Sequence, residues 1–269
     1  MSTNSIIKQY DKNGFTLVRN LVTKKECLIL KNEISKLKSK LNISFSNIPY
    51  GFGDLKDSLL NKIKNRDKFS VITNQLCGTK LSLGHFLVVN KASWLGPDVE
   101  WHQEVFNSDV YAPGINMKKN WKRFIQVFIA IDDHDKINGC LKVFKGSHKA
   151  GILPFDDFVN INGSHKRRVK SKNLDKLNKK FKIIDIEMKR GDVLFFNHLL
   201  VHGSPTNMSH KSRVSGLMQF YDSNLKYDYR VFKNYQNFRA RFIKNHSLGI
   251  INRLSSYKNN LKIFSKNQK

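Results

Sequence analysis

Residues 191–207 read GDVLFFNHLLVHGSPTN. Gly191-Asp192 signals a turn, VLFFN behind it is an apolar run of strand length, and Pro205 follows a second short run. Runs this short, bounded by turn residues, belong to a sheet and not to a helical bundle. The stretch carries two histidines, His198 and His202, of the same parity, and on a strand such residues share a face. A zinc-protease helix would need Glu directly after the first histidine, but Leu199 stands there, which sets that reading aside.

The same texture extends outward in both directions. LSLGHFLVVN (81–90), RFIQVFIAIDD (123–133), CLKVFKGSH (140–148) and RVSGLMQFYD (213–222) are strand runs, and Asn138-Gly139 is a strong turn signal. Before residue 81 the pattern differs. Residues 5–10 and 24–40 read as helices, the second placing Cys27, Leu30, Ile34, Leu37 and Leu41 at helical spacing behind Thr23 as N-cap, with GFTLVRNLV (14–22) alternating between them. Many short strands without alternating helices predict a mainly β fold, closed or double-sheeted, with flanking helices. The expected organisation is one domain over 1–222, with a polar, basic insertion at 155–182 that is either a solvated loop or a lid. A basic extension over 223–269 repeats Ile250, Leu254, Tyr257, Leu261 and Phe264 at helical spacing, and is expected to pack on the same domain.

A chain of 269 residues, 40% hydrophobic and 11% aromatic, buries a sizeable core. No apolar run reaches the length of a signal peptide or a membrane span, so the expected location is the cytoplasm. Three cysteines, far apart and without a C-x-x-C pair, indicate neither a disulfide framework nor a zinc knuckle. The formal charge of +27 points toward nucleic acid or acidic ligands. Yet Lys outnumbers Arg 37 to 11, and 28 Asn stand against 5 Ala, which AT-rich codon usage produces without any partner. Residues 163–190 and 223–269 hold most of the excess. Aromatic-interleaved RNA motifs, helix-turn-helix and zinc-finger patterns are missing.

Against this basic background, residues 100–106 read EWHQEVF. His102 and Glu104, two apart on a strand, would present an imidazole nitrogen and a carboxylate oxygen side by side. With His198 or His202 as third donor, they form two histidines and one carboxylate on one face of a metal, the arrangement of non-haem Fe(II) oxygenases. A second pairing supports this. The alternation of RVSGLMQFYD puts Arg213, Ser215, Leu217 and Gln219 on one face, so Arg213 points inward, on a strand expected next to the metal strand. A buried guanidinium needs a carboxylate, and its fork suits a bidentate one.

Taken in order and spacing, these motifs resemble the phytanoyl-CoA dioxygenase family of Fe(II)- and 2-oxoglutarate-dependent oxygenases. The resemblance spans roughly residues 8–222: YDKNGFTLVRNLVTKKE, WHQE, IQVFIAIDD, NGCLKVFKGSHKAG and the closing GDVLFFNHLLVHGSPTN to SRVSGLMQFYD. It implies a double-stranded β-helix, a jelly roll of the cupin kind. It implies that His102, Glu104 and His202 hold Fe(II), and that Arg213 pairs with the far carboxylate of 2-oxoglutarate, helped by Ser204, with Ser215 and Trp121 as neighbours and Gln126 lining the same pocket. The implied reaction uses O2 to hydroxylate a small organic substrate, with release of succinate and CO2. Glu104 departs from the family's usual Asp, Lys145 from its usual Pro, and the ending KNQK from a peroxisomal address.

Among the remaining histidines, His134 reads as surface and His148 as structural, capping a turn. Lys118, Lys119, Lys166, Arg167 and Arg168 fall in loops expected at the barrel mouth, which leans toward an anionic substrate. The rival readings are a basic, nucleic-acid-associated protein that needs no iron, and a member of the same fold that Glu104 has impaired.

Overall fold

The first helix, α1 (Thr3–Asn13), begins on Ser2, whose hydroxyl accepts the Ser5 N–H, and stops at Gly14, which turns left-handed (φ 81°) and returns its N–H to the Tyr10 carbonyl. It runs longer at both ends than the sequence suggests. The next, α2 (Lys24–Lys40), opens with a reciprocal capping box: Thr23 Oγ1 accepts the Glu26 N–H at 3.2 Å, and Glu26 Oε2 accepts the Thr23 N–H at 2.8 Å. Two shorter helices follow, α3 (Leu59–Lys64) and α4 (Asp67–Cys77). The computed structural model describes residues 2–40, 48–50, 59–77, 80–94, 96, 98–107, 120–157 and 167–225.

Twelve strands are named in chain order among them. They are β1 (Phe15–Val18), β2 (Ile48–Tyr50), β3 (Leu81–Lys91), β4 (Val99–His102), β5 (Phe124–Ala130), β6 (Leu141–Phe144), β7 (Phe155–Asp157), β8 (Arg167–Val169), β9 (Ile183–Ile186), β10 (Val193–Asn197), β11 (His202–Ser204) and β12 (Arg213–Asp222). A six-stranded sheet, β1-β10-β5-β12-β3-β2, faces a four-stranded one, β4-β11-β6-β9, and the pairings in both are antiparallel. This is the jelly roll that the motifs imply.

Strand parity assigns each side chain to a layer. On β5 every residue is buried because both faces are covered. Ile125, Val127 and Ile129 pack outward with Val214, Met218 and Phe220 of β12 against Ile6, Tyr10, Leu30, Phe69 and Ile72 of the helices. Phe128 and Ala130 turn inward, where they meet Leu194 and Phe196 of β10 and Leu141, Val143 and Ile186 of the smaller sheet. The inner face of β12, carrying Arg213, Ser215, Leu217 and Gln219, therefore lines the space between the sheets. Here the expected strand order is corrected. Arg213 stands in the larger sheet, between β3 and β5, and faces the strand of His202 from across the barrel instead of lying next to it.

The basic insertion has structure at both ends. β7 and β8 pair, and α5 (Ser171–Lys180) follows, with Val169 and Leu177 buried against Phe106, Phe124 and Phe144. Those ends are packed over an aromatic cluster and are not a solvated loop. The middle of the insertion and residues 226–269 of the 223–269 extension lie outside the described residues.

Candidate metal centre and the pocket beside it

β4 ends on His102, and Glu104 opens a short 3-10 turn over Glu104–Asn107. The two side chains thus converge because the strand stops between them, not because they alternate along it. Gln103 makes the break stable. Buried completely, it donates from Nε2 to the Leu199 carbonyl at 2.7 Å and to the Gly151 carbonyl at 2.9 Å, while its Oε1 accepts the Leu153 N–H at 2.9 Å. Gln103 thereby ties three segments together.

His202 begins β11 and is the direct register partner of His102. A side chain at Gly203 would put its Cβ 2.7 Å from the Val99 carbonyl oxygen, so only glycine lets β11 and β4 approach this closely. The ring centroids of His102 and His202 lie 4.2 Å apart. Glu104 Oε1 is 3.2 Å from His202 Nε2 and 3.8 Å from His102 Nε2, and the donor atoms of all three residues lie within 4.8 Å of one another. All three are buried.

The tautomers follow from the partners. His102 Nδ1 sits 2.7 Å from the Glu100 carbonyl and His202 Nδ1 2.9 Å from the Leu200 carbonyl. A carbonyl only accepts, so each Nδ1 carries the proton and each Nε2 turns its lone pair toward Glu104. Burial, and then His202, push the His102 pKa down, which favours the neutral ring. Burial acts upward on Glu104, but the two imidazoles beside it outweigh that and hold the carboxyl well below its usual range, so it is ionised. Its Oε2 is buried without a partner. Two nitrogen lone pairs and a carboxylate aimed at one point repel each other unless a cation lies between them, and this donor set suits a divalent first-row metal.

Of the sequence-derived pocket residues, Arg213, Ser215 and Gln126 fall on the inner face of the larger sheet. Arg213 is 1% exposed; it donates from Nη1 to the Gly139 carbonyl, its Nε has no partner, and no described carboxylate forms an ion pair with it. Burial pulls its pKa down to about 10. Ser204 and Ser215 are buried, and Gln126 is buried with Oε1 unpartnered. Trp121 packs in the aromatic cluster with Phe124 and Phe144, a different cluster from the one that holds Phe128. His148 caps as expected, through the Asp11 carbonyl at 3.1 Å.

His134 corrects its expected surface position. It is 2% exposed, its Nε2 lies 3.0 Å from Ser215 Oγ, and burial followed by the Arg213 charge holds it neutral. Its isolated bridge to Met188 turns His134 inward, while Asp133 beside it stays exposed. His198 does not join the metal group. It is fully buried against the Phe124 ring, both ring nitrogens lack partners, and burial lowers its pKa to about 4. Lys91 was missed altogether; its parity with Val89 in LVVNK was the available signal.

A jelly roll with two imidazoles and a carboxylate converging between its sheets is the frame of the non-haem iron oxygenases. The family described as phytanoyl-CoA dioxygenase (PhyH) matches residues 10–215, and the chain belongs to that family, an enzyme family of non-haem iron, 2-oxoglutarate-dependent oxygenases. Among its relatives is the peroxisomal phytanoyl-CoA dioxygenase of Bos taurus, 24% identical over 246 residues, covering 82% of this chain and 68% of the relative. Two solved structures share the fold. EctD from S. alaskensis, with 2-oxoglutarate and 5-hydroxyectoine, aligns at a TM-score of 0.66 and 15% identity over 85% of this chain and 78% of its own. The epimerase SnoN, in complex with Fe3+, alpha ketoglutarate and nogalamycin RO, aligns at 0.62 and 17% identity over 84% and 85%. Family membership does not favour the iron-free, nucleic-acid reading. No helix among the described residues is long and apolar enough to cross a membrane.

Proposed function

We propose that this protein is an Fe(II)- and 2-oxoglutarate-dependent dioxygenase that hydroxylates a small organic substrate, releasing succinate and CO2. The observation that carries the reading is the convergence of two imidazole Nε2 atoms and the Glu104 carboxylate inside the barrel. Residues 1–222 form the catalytic domain.

His102, Glu104 and His202 hold the metal. Iron, when bound there with 2-oxoglutarate, supplies the activation of O2 and couples it to loss of CO2 from the 2-oxo acid. Everything else falls to the chain. The Glu100 and Leu200 carbonyls fix both imidazoles in the tautomer that binds metal. Arg213 receives the far carboxylate with its unpartnered Nε, and Ser204, Ser215 and Gln126 border that carboxylate's pocket, with Trp121 as a more distant neighbour packed on Phe124 and Phe144. The apolar inner walls, Phe128 and Phe196 among them, exclude water.

An anionic substrate is the finer part of the proposal. It rests on Lys118, Lys119 and Lys166, which lie outside the described residues, and on Arg167 and Arg168. Both arginines already have carboxylates nearby, Asp157 at 3.0 Å and Glu100 at 3.4 Å, so a substrate anion must compete for them.

The deciding test is an anaerobic titration with Fe(II) and 2-oxoglutarate, watched for the visible charge-transfer band of a chelated 2-oxo acid. The band is expected in wild type and lost in His202→Ala. A folded, iron-loaded wild type without a band would overturn the reading.

A further inference from the structure

Lys91 and Arg213 are Cα partners across β3 and β12, and both are buried, at 3% and 1% exposure. Two adjacent cations out of water are unfavourable unless an anion meets them. Neither forms an ion pair with a described carboxylate. Lys91 Nζ donates instead to the Ser204 carbonyl at 3.4 Å and to the Pro205 carbonyl. The first of these carbonyls ends the strand that begins with His202, and the second follows it directly. The ammonium therefore sits between the guanidinium on one sheet and the metal strand on the other.

We propose that Lys91 is a second anion-recognition and positioning group of the co-substrate pocket, adding its charge to that of Arg213 at the far carboxylate and holding Ser204 in place through the main chain. This rests on the reading of Arg213 given above. It makes the inner end of the pocket selective for a 2-oxo acid that carries a second carboxylate. A lysine that only stapled two carbonyls would stabilise the fold without discriminating between acids.

The electrostatics agree with an anion that is still to arrive. Burial first, and Arg213 second, push the Lys91 ammonium down to about 7, against opposing influences from Asp98 and Cys140. The Cys140 thiol is itself raised to about 11 by burial, and His134 is held neutral, so neither compensates the two cations. At about pH 8 an unfilled pocket leaves Lys91 largely unprotonated, and a carboxylate placed between the two groups restores its proton.

The test is calorimetric titration of the Mn(II)-loaded protein with 2-oxoglutarate and with 2-oxovalerate, which has the same chain length but a methyl in place of the far carboxylate. Wild type is expected to prefer 2-oxoglutarate strongly, Lys91→Met to lose about tenfold of that preference, and Lys91→Arg to retain most of it. In paired buffers at about pH 8, wild type is expected to take up close to one proton with 2-oxoglutarate and none with 2-oxovalerate. An unchanged preference in a folded Lys91→Met of lower Tm would make Lys91 a staple and overturn the inference, leaving the proposed function intact. If Lys91→Met does not fold, the proton count in wild type decides, and no uptake overturns it. A metal-loaded wild type that binds both acids equally overturns the reading of Arg213, and this inference with it.

Discussion

Two buried carboxylate regions of this molecule are filled in opposite ways. Asp132 accepts from Lys31 Nζ at 2.7 and 2.9 Å, from Arg190 at 3.1 Å and from the Val214 N–H at 3.1 Å. Asp192 accepts from Arg19 at 2.6 Å and from the N–H groups of Asn20 and Lys189 at 3.0 and 2.8 Å. These acids pin α2, β12 and the turn before β10 together, and their lone pairs are spent on the chain itself. Glu104 is buried as deeply, yet it faces two histidine lone pairs and leaves Oε2 with nothing. The difference separates a carboxylate that holds the fold from one held ready for something else.

The largest effect should come from emptying the second kind. Glu104→Ala or His202→Ala is expected to cut 2-oxoglutarate-dependent succinate formation by about three orders of magnitude and to abolish stoichiometric iron, with Tm unchanged or raised because a repulsive cluster is relieved. Near-normal turnover in either variant would break the comparison outright. Asp132→Ala should do the reverse: it strands Lys31 and the Val214 N–H and lowers stability by about 3 kcal/mol in denaturant titrations, with turnover per folded molecule retained.

A pH measurement sharpens the contrast. His198 titrates near 6.5 when unfolded and at about 4 when folded, so the unfolded chain binds the proton first. Stability is complete above about pH 6.5 and is lost as pH falls from there toward 4, by up to about 3 kcal/mol from this residue. His198→Phe should flatten that acid limb, and an unaltered limb would show that the histidine finds a partner in solution. The smallest effect belongs to the surface. Arg168→Ala removes a half-exposed pair with Glu100 and should change stability by no more than about 0.5 kcal/mol. A raised KM in the same variant, weakened further by salt, is the expected mark of an anionic substrate; an unchanged KM at all ionic strengths would count against one.

Much of this architecture was legible in residue order because burial writes itself into period two. The alternation of RVSGLMQFYD put Arg213 and Ser215 on one face, and that face is the inner one. His102, Glu104 and His202 were legible as residue types at a spacing, although the reason for their meeting was not. Sequence alone suggested strand alternation, whereas the strand ends at His102 and a 3-10 turn delivers Glu104. Strand order across the barrel was not legible either, since periodicity records which face a residue occupies and not which strand lies beside it. His134 looked like surface because it stands in a hairpin approach without a metal partner at strand spacing, and long-range neighbours, Met188, Ser215 and Phe128, bury it.

Gln103 gives the centre a history it can be asked for. Its three hydrogen bonds join the end of β4 to the segments around Leu199, Gly151 and Leu153, while the residues on either side of it contribute repulsion to the metal-free fold. A library of variants sorted only for being folded should let positions 102 and 104 wander and keep glutamine between them. The same library sorted for turnover should fix all three. Three consecutive letters thus answer to two different selections, and sequencing the survivors of each would read them apart.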